Sequence, residues 1–199
     1  ECARAVRNTI GPKRELLLDC YGMYSLEEAL QIARAMEEIG LYWLEEPVAD
    51  DDIEGYKQMR AESSFVIAGG ERMQLRQGFW TMLEQEMVDI VMPDVTIVGG
   101  INELKKVAAL AEAKNITVSP HGPFSPVTVI TGLQATGAHP HCPILEYAWR
   151  EVPWREQLTI PAEHVEKGRI RLPEEPGLGV QLNMNTIEAQ RLGERITIE

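Results

Sequence analysis

Short apolar runs, each closed by an acidic residue or a histidine, recur along the chain at intervals of 23 to 27 residues. The closing residues are Asp19, Glu45, Glu71, Asp94, His121 and Glu146. Apolar runs of this length that alternate with longer amphipathic stretches predict repeated β-α units and a parallel sheet. In a (β/α) barrel the C-terminal ends of the strands meet at one mouth, where the active sites of such barrels lie. The spacing therefore predicts an α/β fold of the (β/α)-barrel type in which six chemically capable side chains converge.

Amphipathic helices are predicted between the apolar runs. The first begins after Ser25, an expected N-cap with Glu28 as its capping-box partner, and ends before Gly40. The predicted helices cover residues 26–36, 51–61, 75–84, 102–114 and 126–137. Together with the apolar runs they give six strand-helix units between Leu16 and Ala148.

Six units are two fewer than a complete barrel needs, and such barrels run to roughly 250 residues or more. The chain of 199 residues begins with Glu1, and Ala3, Val6 and Ile10 have the spacing of the buried face of a helix already under way. We therefore expect the first two strands, and whatever precedes them, to lie outside this sequence. Two regions are predicted: a barrel over residues 1–150 and a C-terminal segment over 151–199.

Composition narrows the class of protein. Apolar residues make up 44% and charged residues 25% of the chain, both ordinary values for a globular domain. No apolar run approaches the ~18 residues of a membrane-spanning helix. The formal net charge of −12 argues against a nucleic-acid or anionic-membrane partner. Cys2, Cys20 and Cys142 are odd in number and widely spaced, which favours free thiols and a cytoplasmic location.

The first three carboxylates have a chemical reason to act together. Asp19, Glu45 and Glu71 would be neighbours around the barrel mouth, where they repel unless they are protonated or neutralised by a divalent cation. Ligation by oxygen alone selects a hard ion, Mg²⁺ first. Taken singly, each has a structural alternative: a capped turn, a solvated bend or a charge at a helix start. Three in register favour a metal site.

The next two strand ends predict a catalytic dyad. A carboxylate at Asp94 that accepts a hydrogen bond from one nitrogen of His121 would fix the tautomer and aim the other nitrogen at a substrate. Histidine titrates near neutrality, which suits a group that takes and returns a proton. The cluster His139-Pro140-His141-Cys142 precedes the sixth run, so we expect a plain loop at the opposite face; His164, in the C-terminal segment, is expected to be structural too.

These motifs together resemble the enolase superfamily, and more narrowly its mandelate racemase subgroup, which includes many acid-sugar dehydratases. The likeness covers about the whole chain, including the C-terminal segment, which resembles the part that returns to an N-terminal α+β capping domain. The motifs are Leu18-Asp19, Trp43-Leu44-Glu45-Glu46-Pro47, Gly70-Glu71-Arg72, Met92-Pro93-Asp94, Gly99-Gly100, Ser119-Pro120-His121 and Leu145-Glu146.

The resemblance implies a role for each strand-end residue. The first three carboxylates would hold Mg²⁺, which stabilises the enediolate formed when the proton α to a carboxylate leaves. His121, backed by Asp94, would be the general acid or base, and a protonated Glu146 would hydrogen-bond the substrate carboxylate. The family's second base, a Lys-x-Lys motif on an earlier strand, lies outside this sequence. A small-molecule carboxylate substrate and a homo-oligomer are implied as well.

Two positions stand out from the commonest family pattern. Where many members have Asn two residues after the first metal ligand, this chain has Tyr21, which strand alternation would place on the pocket face with Asp19. Tyr21 would either bind a polyol, or supply a proton, or form an aromatic lid. Arg72 would contact distal substrate groups, or else serve as a salt-bridge partner.

Three functions remain open. The polar mouth, which includes Ser119 and Ser125 beside Tyr21 and Arg72, favours dehydration of a sugar acid to a 2-keto-3-deoxy acid. A racemase, epimerase or lactone cycloisomerase would use the same enediolate. A non-catalytic barrel scaffold is the alternative outside enzymes, although six competent side chains count against it. A metal-dependent barrel hydrolase would want more histidine ligands than the one present.

Overall fold

The computed structural model describes residues 1–193 and places five parallel strands in one sheet. They are β1 (Leu17–Asp19), β2 (Trp43–Glu45), β3 (Val66–Gly69), β4 (Ile90–Val91) and β5 (Thr117–Val118). Their order in the sheet is the order of the sequence, β1-β2-β3-β4-β5. A doubly wound sheet would reverse direction at a switch point, whereas steady progression in one direction is the winding of a (β/α) barrel.

A helix follows every strand and one precedes the sheet. The helices are α1 (Cys2–Ile10), α2 (Leu26–Met36), α3 (Ile53–Glu62), α4 (Leu75–Glu84), α5 (Ile101–Ala113) and α6 (Pro126–Thr136). The predicted bounds of α2 and α4 are confirmed, and those of α3, α5 and α6 differ by one or two residues. The capping box at Ser25 and Glu28 is present as predicted.

Side chains alternate across the sheet and divide the core into two layers. Leu44, Ile67 and Val91 belong to a large cluster that includes apolar residues of the helices. Their strand neighbours Trp43 and Ala68, with Ile90 and Met92, form a separate small cluster on the other face. Because successive side chains on a strand point to opposite faces, Glu45 lies on the same face as Trp43, inside the sheet's concave layer.

The predicted sixth strand is wrong in part. Residues 143–148 form no regular strand, although the chain runs beside β5. Val118 donates its N–H to the carbonyl of His141 (2.8 Å), and Glu146 donates its N–H to the carbonyl of Pro120 (3.2 Å). Pro143 lies between these bonds and has no N–H, so it cannot extend a ladder there. The run therefore has the expected place without regular strand pairing.

The buried face predicted for α1 is also wrong in part. No residue of α1 is buried, and Val6 is 43% exposed. Among the described residues, Arg7 instead fixes the helix, since its guanidinium donates to the carbonyls of Ile39 (2.9 Å) and Arg14 (2.6 Å).

The C-terminal segment folds as small separate pieces. A 3-10 helix (Arg155–Gln157) precedes two antiparallel pairs, β6 (Thr159–Ile160) with β9 (Gln181–Leu182) and β7 (Val165–Glu166) with β8 (Arg169–Ile170), and α7 (Met184–Gln190) follows. Residues 194–199, the end of the predicted segment, lie outside the described part of the chain. No helix of the described residues has the length and apolarity to cross a membrane.

Candidate active site

Adjacent strand ends bring the three predicted metal-ligand carboxylates to one edge of the sheet. Asp19 and Glu45 are register partners on β1 and β2. Glu71 follows β3 by two residues, after Gly70. Glu45 and Glu71 are buried, at 7% and 5% exposure, whereas Asp19 is exposed. The strand positions are those predicted from the spacing.

Protein donors hold one oxygen of each of the first two carboxylates. The backbone N–H of Tyr21 donates to Asp19 Oδ1 (2.7 Å). The indole Nε1–H of Trp43 donates to Glu45 Oε2 (3.1 Å) within the concave layer. These bonds orient both carboxylates and leave the second oxygen of each for another partner.

Burial and crowding make this edge strongly electronegative. Burial first, and then the charges of Asp19, Glu146 and Glu71, raise the pKa of Glu45 to about 8. Burial is also the largest cause that raises the pKa of Glu71, against the lowering effect of His121. Several acidic groups so close that they oppose one another's ionisation are a suitable donor set for a hard divalent cation.

The carboxylates do not already form a complete cage. Within residues 1–193, no group of three or more His, Cys, Asp or Glu side chains has the arrangement of a formed metal site. The donor chemistry therefore fits a divalent ion, while the assignment of Asp19, Glu45 and Glu71 as its ligands stays a prediction.

The predicted hydrogen bond between Asp94 and His121 is present. Nδ1 of His121 lies 2.6 Å from Oδ2 of Asp94, and both residues are buried. The other oxygen of Asp94 accepts from the backbone N–H and the hydroxyl of Thr96, both at 2.6 Å. Burial alone would raise the pKa of Asp94, but the hydrogen bonds from His121 and Thr96 outweigh it and hold the pKa below its usual value. A fixed carboxylate thus orients the imidazole.

The second nitrogen of His121 lies between two carboxylates. Nε2 is 3.2 Å from Oε2 of Glu71 and 3.3 Å from Oε2 of Glu146. Burial alone would lower the pKa of His121, but the bond to Asp94 and the nearby negative charges raise it above its usual value. The ring of Phe124 contacts the imidazole edge-on, with centroids 5.3 Å apart.

Glu146 reaches the same place from the segment beside β5. Its side chain is 39% exposed, more open than the other carboxylates that contact His121. Burial is the largest cause that raises the pKa of Glu146, with Glu71 and Asp19 adding to it and His121 opposing it. The direction is the one that a hydrogen-bond-donating, protonated Glu146 requires.

The alternation argument for Tyr21 is wrong. The strand β1 ends at Asp19, and Tyr21 has a left-handed backbone (φ 55°) in the turn that follows, so side-chain alternation no longer applies. Its ring is 58% exposed, and the guanidinium of Arg72 lies over it, 5.1 Å from the centroid. The Tyr21 ring thus packs on the guanidinium of Arg72, and strand alternation does not determine where it points.

Arg72 is engaged by carboxylates of the protein. Its Nη2 lies 2.5 Å from Glu46 Oε2, and its Nε donates to Asp50 Oδ2 at 2.9 Å. Gly22, at φ 63°, allows this approach, because a Cβ there would lie 2.6 Å from Nη2. Of the two roles predicted for Arg72, the salt-bridge role is the one that these contacts describe.

Sequence reasoning missed two residues that support the site. Glu46 is fully buried, and its Oε1 accepts the N–H of Gly70 (3.3 Å), next to Glu71. Burial, with Asp50 and Glu71 next, raises the pKa of Glu46 to about 7. The second missed residue, Trp43, could have been found, because it lies two residues before Glu45 and so shares its face of the strand.

The other histidines lie away from these residues along the chain. His139 and His141 occupy the turn before residues 143–148, with Nε2 of His139 3.3 Å from Oε2 of Glu112 on α5. His164 is exposed in the C-terminal segment. These are the loop positions predicted from the sequence.

Known proteins resemble this chain in sequence. Residues 1–186 match the family model described as "Enolase C-terminal domain-like". The chain is 32% identical over 189 residues to the D-xylonate dehydratase of Haloferax volcanii, an alignment that covers 95% of this chain and 46% of that protein.

Solved structures agree with the sequence match. The 3,6-anhydro-D-galactonate cycloisomerase from Zobellia galactanivorans superposes with a TM-score of 0.87 at 33% identity, over 94% of this chain and 53% of that one. A mandelate racemase/muconate lactonizing enzyme-like protein from Rubrobacter xylanophilus gives a TM-score of 0.88 at 34% identity, over 94% of this chain and 48% of that one.

The chain spans about half the length of the curated relatives it matches. Its fold is the barrel type predicted from the strand spacing. The motifs, the family match and the superpositions agree: the chain belongs to the enolase superfamily, in its mandelate racemase subgroup.

Proposed function

We propose that the whole protein removes the proton α to the carboxylate of a sugar acid and dehydrates it to a 2-keto-3-deoxy acid. One observation carries the proposal: Nδ1 of His121 is fixed by Asp94, while Nε2 faces the carboxylates of Glu71 and Glu146. A buried imidazole with one oriented nitrogen beside a crowded acidic edge suits proton transfer to and from a bound substrate. The dehydratase relative supports the same chemistry.

The dehydration balances without a further reactant. The α C–H bond breaks: its proton passes to a base, which the family resemblance puts on a strand outside this sequence, and its electron pair forms a C=C bond while the bond from the β-carbon to its hydroxyl breaks. The hydroxyl takes a proton and leaves as water, and the enol product tautomerises to the keto acid. Nε2 of His121 would deliver the proton to the leaving hydroxyl, since the raised pKa of this group favours its holding one.

A divalent cation is implied by the family, typically Mg²⁺. Asp19, Glu45 and Glu71 would hold it, because their oxygens are hard donors whose mutual repulsion it would relieve. When bound, it supplies positive charge that stabilises the negative charge developing on the substrate carboxylate. Glu146 in its protonated form would donate a hydrogen bond to that carboxylate, as its raised pKa allows.

Tyr21 and Arg72 are weaker candidates for substrate binding. Tyr21 is exposed and adjoins Asp19, so its phenol could contact a polyol without moving the strand. Arg72 would have to leave Glu46 and Asp50 to bind a substrate. We expect Tyr21 to affect substrate affinity and Arg72 to affect mainly stability. The homo-oligomer and the cytoplasmic location stay predictions; all three cysteines are free thiols.

A racemase, epimerase or cycloisomerase is the second candidate. It is favoured by the likeness to the Zobellia cycloisomerase, and it would use the same α-proton removal. In this alternative a proton returns to carbon, or a lactone ring opens or closes, and no water is lost.

The test is a screen of the whole protein with Mg²⁺ against aldonic and aldaric acids and their lactones. Semicarbazide detects the keto acid, and proton NMR in D₂O detects exchange at the α-carbon. Keto product with exchange supports dehydration. Exchange without keto product would move the assignment to a racemase or cycloisomerase, and no exchange with any acid would favour a scaffold.

A further inference from the structure

A buried cluster joins two charged residues of the C-terminal segment to Tyr147, and none of its members is one of the six strand-end residues. The guanidinium of Arg155, which is 3% exposed, donates through Nε to Oε2 of Glu163 at 2.9 Å. The hydroxyl of Tyr147 donates to the same oxygen at 3.0 Å. Arg155 also lies over the Tyr147 ring, 5.0 Å from its centroid. The carboxylate of Glu163 therefore binds the hydroxyl of Tyr147, and the guanidinium of Arg155 packs on the face of its ring.

The cluster joins the two chain segments that carry His121 and Glu146. Tyr147 directly follows Glu146. Nη1 of Arg155 donates to the carbonyl of Pro123 (2.8 Å), two residues after His121. The next residue, Phe124, contacts the imidazole of His121. Arg155 is thus bonded to the loop behind one reactive group and, through Glu163 and Tyr147, to the segment behind the other.

Burial distinguishes this cluster from an ordinary surface ion pair. The side chains of Arg155 and Glu163 are 4% and 0% exposed. Surface pairs contribute little, whereas a buried guanidinium in several directed bonds fixes the geometry of the groups around it. Lysine cannot reproduce this arrangement, because a single ammonium lacks the fork that reaches Glu163 and Pro123 together.

We propose that Arg155 is a positioning residue that couples the loop after His121 to the segment carrying Glu146. It holds the two segments at a fixed separation, so that Nε2 of His121 and the carboxyl of Glu146 face the same substrate position. The coupling stands on the contacts alone; its effect on turnover rests on the proposed function.

The test compares Arg155→Lys, Tyr147→Phe and the control Arg150→Lys in the whole protein. Arg150 is an exposed neighbour whose guanidinium lies over Trp149. Hydrogen–deuterium exchange by mass spectrometry follows peptides over residues 119–126 and 144–149. We expect Arg155→Lys to speed exchange in both peptides. Tyr147→Phe should speed exchange only in the peptide over residues 144–149, and Arg150→Lys should exchange like the wild type. Exchange in peptides over α2 to α4 should be unchanged in all three variants.

Kinetics supply the second readout. A misplacement of reacting groups costs up to ~10²-fold in rate, so Arg155→Lys should lower kcat by about 10-fold or more with KM changed by less than about 2-fold. A merely structural role would lower the folded fraction and leave kcat per folded molecule unchanged. Tyr147→Phe removes one hydroxyl and leaves Arg155 in place. If Arg155→Lys fails to fold, faster exchange over residues 144–149 in Tyr147→Phe still tests the connection to the segment carrying Glu146, and unchanged exchange there refutes it.

The two proposals fail in different ways. If the wild type neither exchanges nor dehydrates any sugar acid, the proposed function is lost, yet the exchange data on the two peptides still decide the coupling. If faster exchange under Arg155→Lys stays within residues 151–165, or spreads evenly over the chain, the coupling is refuted whatever the activity.

Discussion

The imidazole of His121 has negative groups on three sides. Asp94 fixes Nδ1, and Glu71 and Glu146 face Nε2 within 3.3 Å. Such surroundings favour the protonated ring, so they would resist the first removal of an α-proton and assist delivery of a proton to a leaving group. A bound cation would reduce the negative charge around His121 through Glu71 first. Glu71 both faces Nε2 of His121 and belongs to the predicted set of metal ligands.

The substitution His121→Asn tests this residue. Asn retains a group able to hydrogen-bond Asp94, so we expect the fold to persist. Loss of the titratable nitrogen should slow α-proton exchange or dehydration by about 10² or more, the usual scale of general acid–base catalysis. Proton NMR in D₂O measures the exchange rate, with His141→Asn in the turn before residues 143–148 as control. Unchanged turnover in His121→Asn would show that another group transfers the proton.

We expect Arg72 to act mainly on the stability of the fold, through its ion pairs, and not on substrate binding. Arg72→Met leaves the fully buried carboxylate of Glu46 without its cation. Breaking a fully buried pair costs ~3–5 kcal/mol; since Arg72 is partly exposed, we expect a loss of about 2–3 kcal/mol in the free energy of unfolding. Urea denaturation measures it, with Lys105→Met at an exposed position of α5 as the control.

The double variant Arg72→Met/Glu46→Gln separates the two roles of Arg72. Removing the buried charge together with its partner should restore most of the lost stability. If Arg72→Met instead leaves stability unchanged and raises KM alone, Arg72 binds substrate and the ion-pair interpretation is wrong.

At the scale of elements, parallel pairing explains what the sequence could predict. Strands that follow one another in a parallel sheet end at the same edge, so residues placed at strand ends were certain to be neighbours once the spacing was recognised. Asp94 and His121 are such a pair, and they even form an isolated parallel bridge. Spacing also predicts that a sixth run follows β5, but it does not reveal that Pro143 prevents regular pairing.

The spacing of the strand ends does not predict contacts between segments that are far apart in the sequence. The burial of Glu46 depends on Arg72 reaching back across 26 positions, and nothing in the local pattern distinguishes Glu46 from a solvated neighbour of Glu45. The bonds of Arg155 to Pro123 and Glu163 likewise depend on how the C-terminal segment folds over the loop. The alternation argument fails for Tyr21 because alternation requires a strand, and the strand ends two residues earlier.

A pH-dependent contact joins two neighbouring helices. Glu103 on α5 accepts from Lys106 (2.7 Å) and from the side chain of Arg76 on α4 (2.6 Å). The hydrogen bond from Lys106, followed by the bonds from Arg76, lowers the pKa of Glu103 to about 2. A carboxyl whose folded pKa is depressed stabilises the fold above its unfolded pKa, and this contribution is lost as pH falls toward the folded pKa.

The substitution Glu103→Gln tests that linkage. We expect the variant to melt at a lower temperature than wild type at pH 7, with the difference shrinking as pH falls from about 4.5 toward 2, because the wild-type carboxyl is then protonated as well. Thermal denaturation at a series of pH values measures the Tm difference. Glu84→Gln, an exposed carboxyl on α4, is the control. A difference that stays constant with pH would exclude the ion pairs as its cause.

At the scale of the whole molecule, part of the net negative charge is concentrated at the C-terminal edge of the sheet. The chain carries a net charge of −12, and several of its buried carboxylates meet on one edge. Burying like charges together destabilises a fold unless something neutralises them. The raised pKa of Glu45, about 8, reflects this conflict, so protonation and cation binding compete for the same oxygens.

Divalent binding should therefore stabilise the whole protein, and more so at higher pH. At a concentration 100 times the dissociation constant, a ligand that binds only the folded state adds about 2.7 kcal/mol, so Mg²⁺ should raise the Tm. Affinity should increase as pH rises through about 8, since the protonated form of Glu45 is the poorer ligand. Isothermal titration calorimetry with Mg²⁺ and Mn²⁺ gives the affinity directly and needs no substrate. Glu45→Gln should weaken binding, while Glu84→Gln should not. Equal affinity in the wild type and Glu45→Gln would place the cation elsewhere and remove Glu45 from the ligand set.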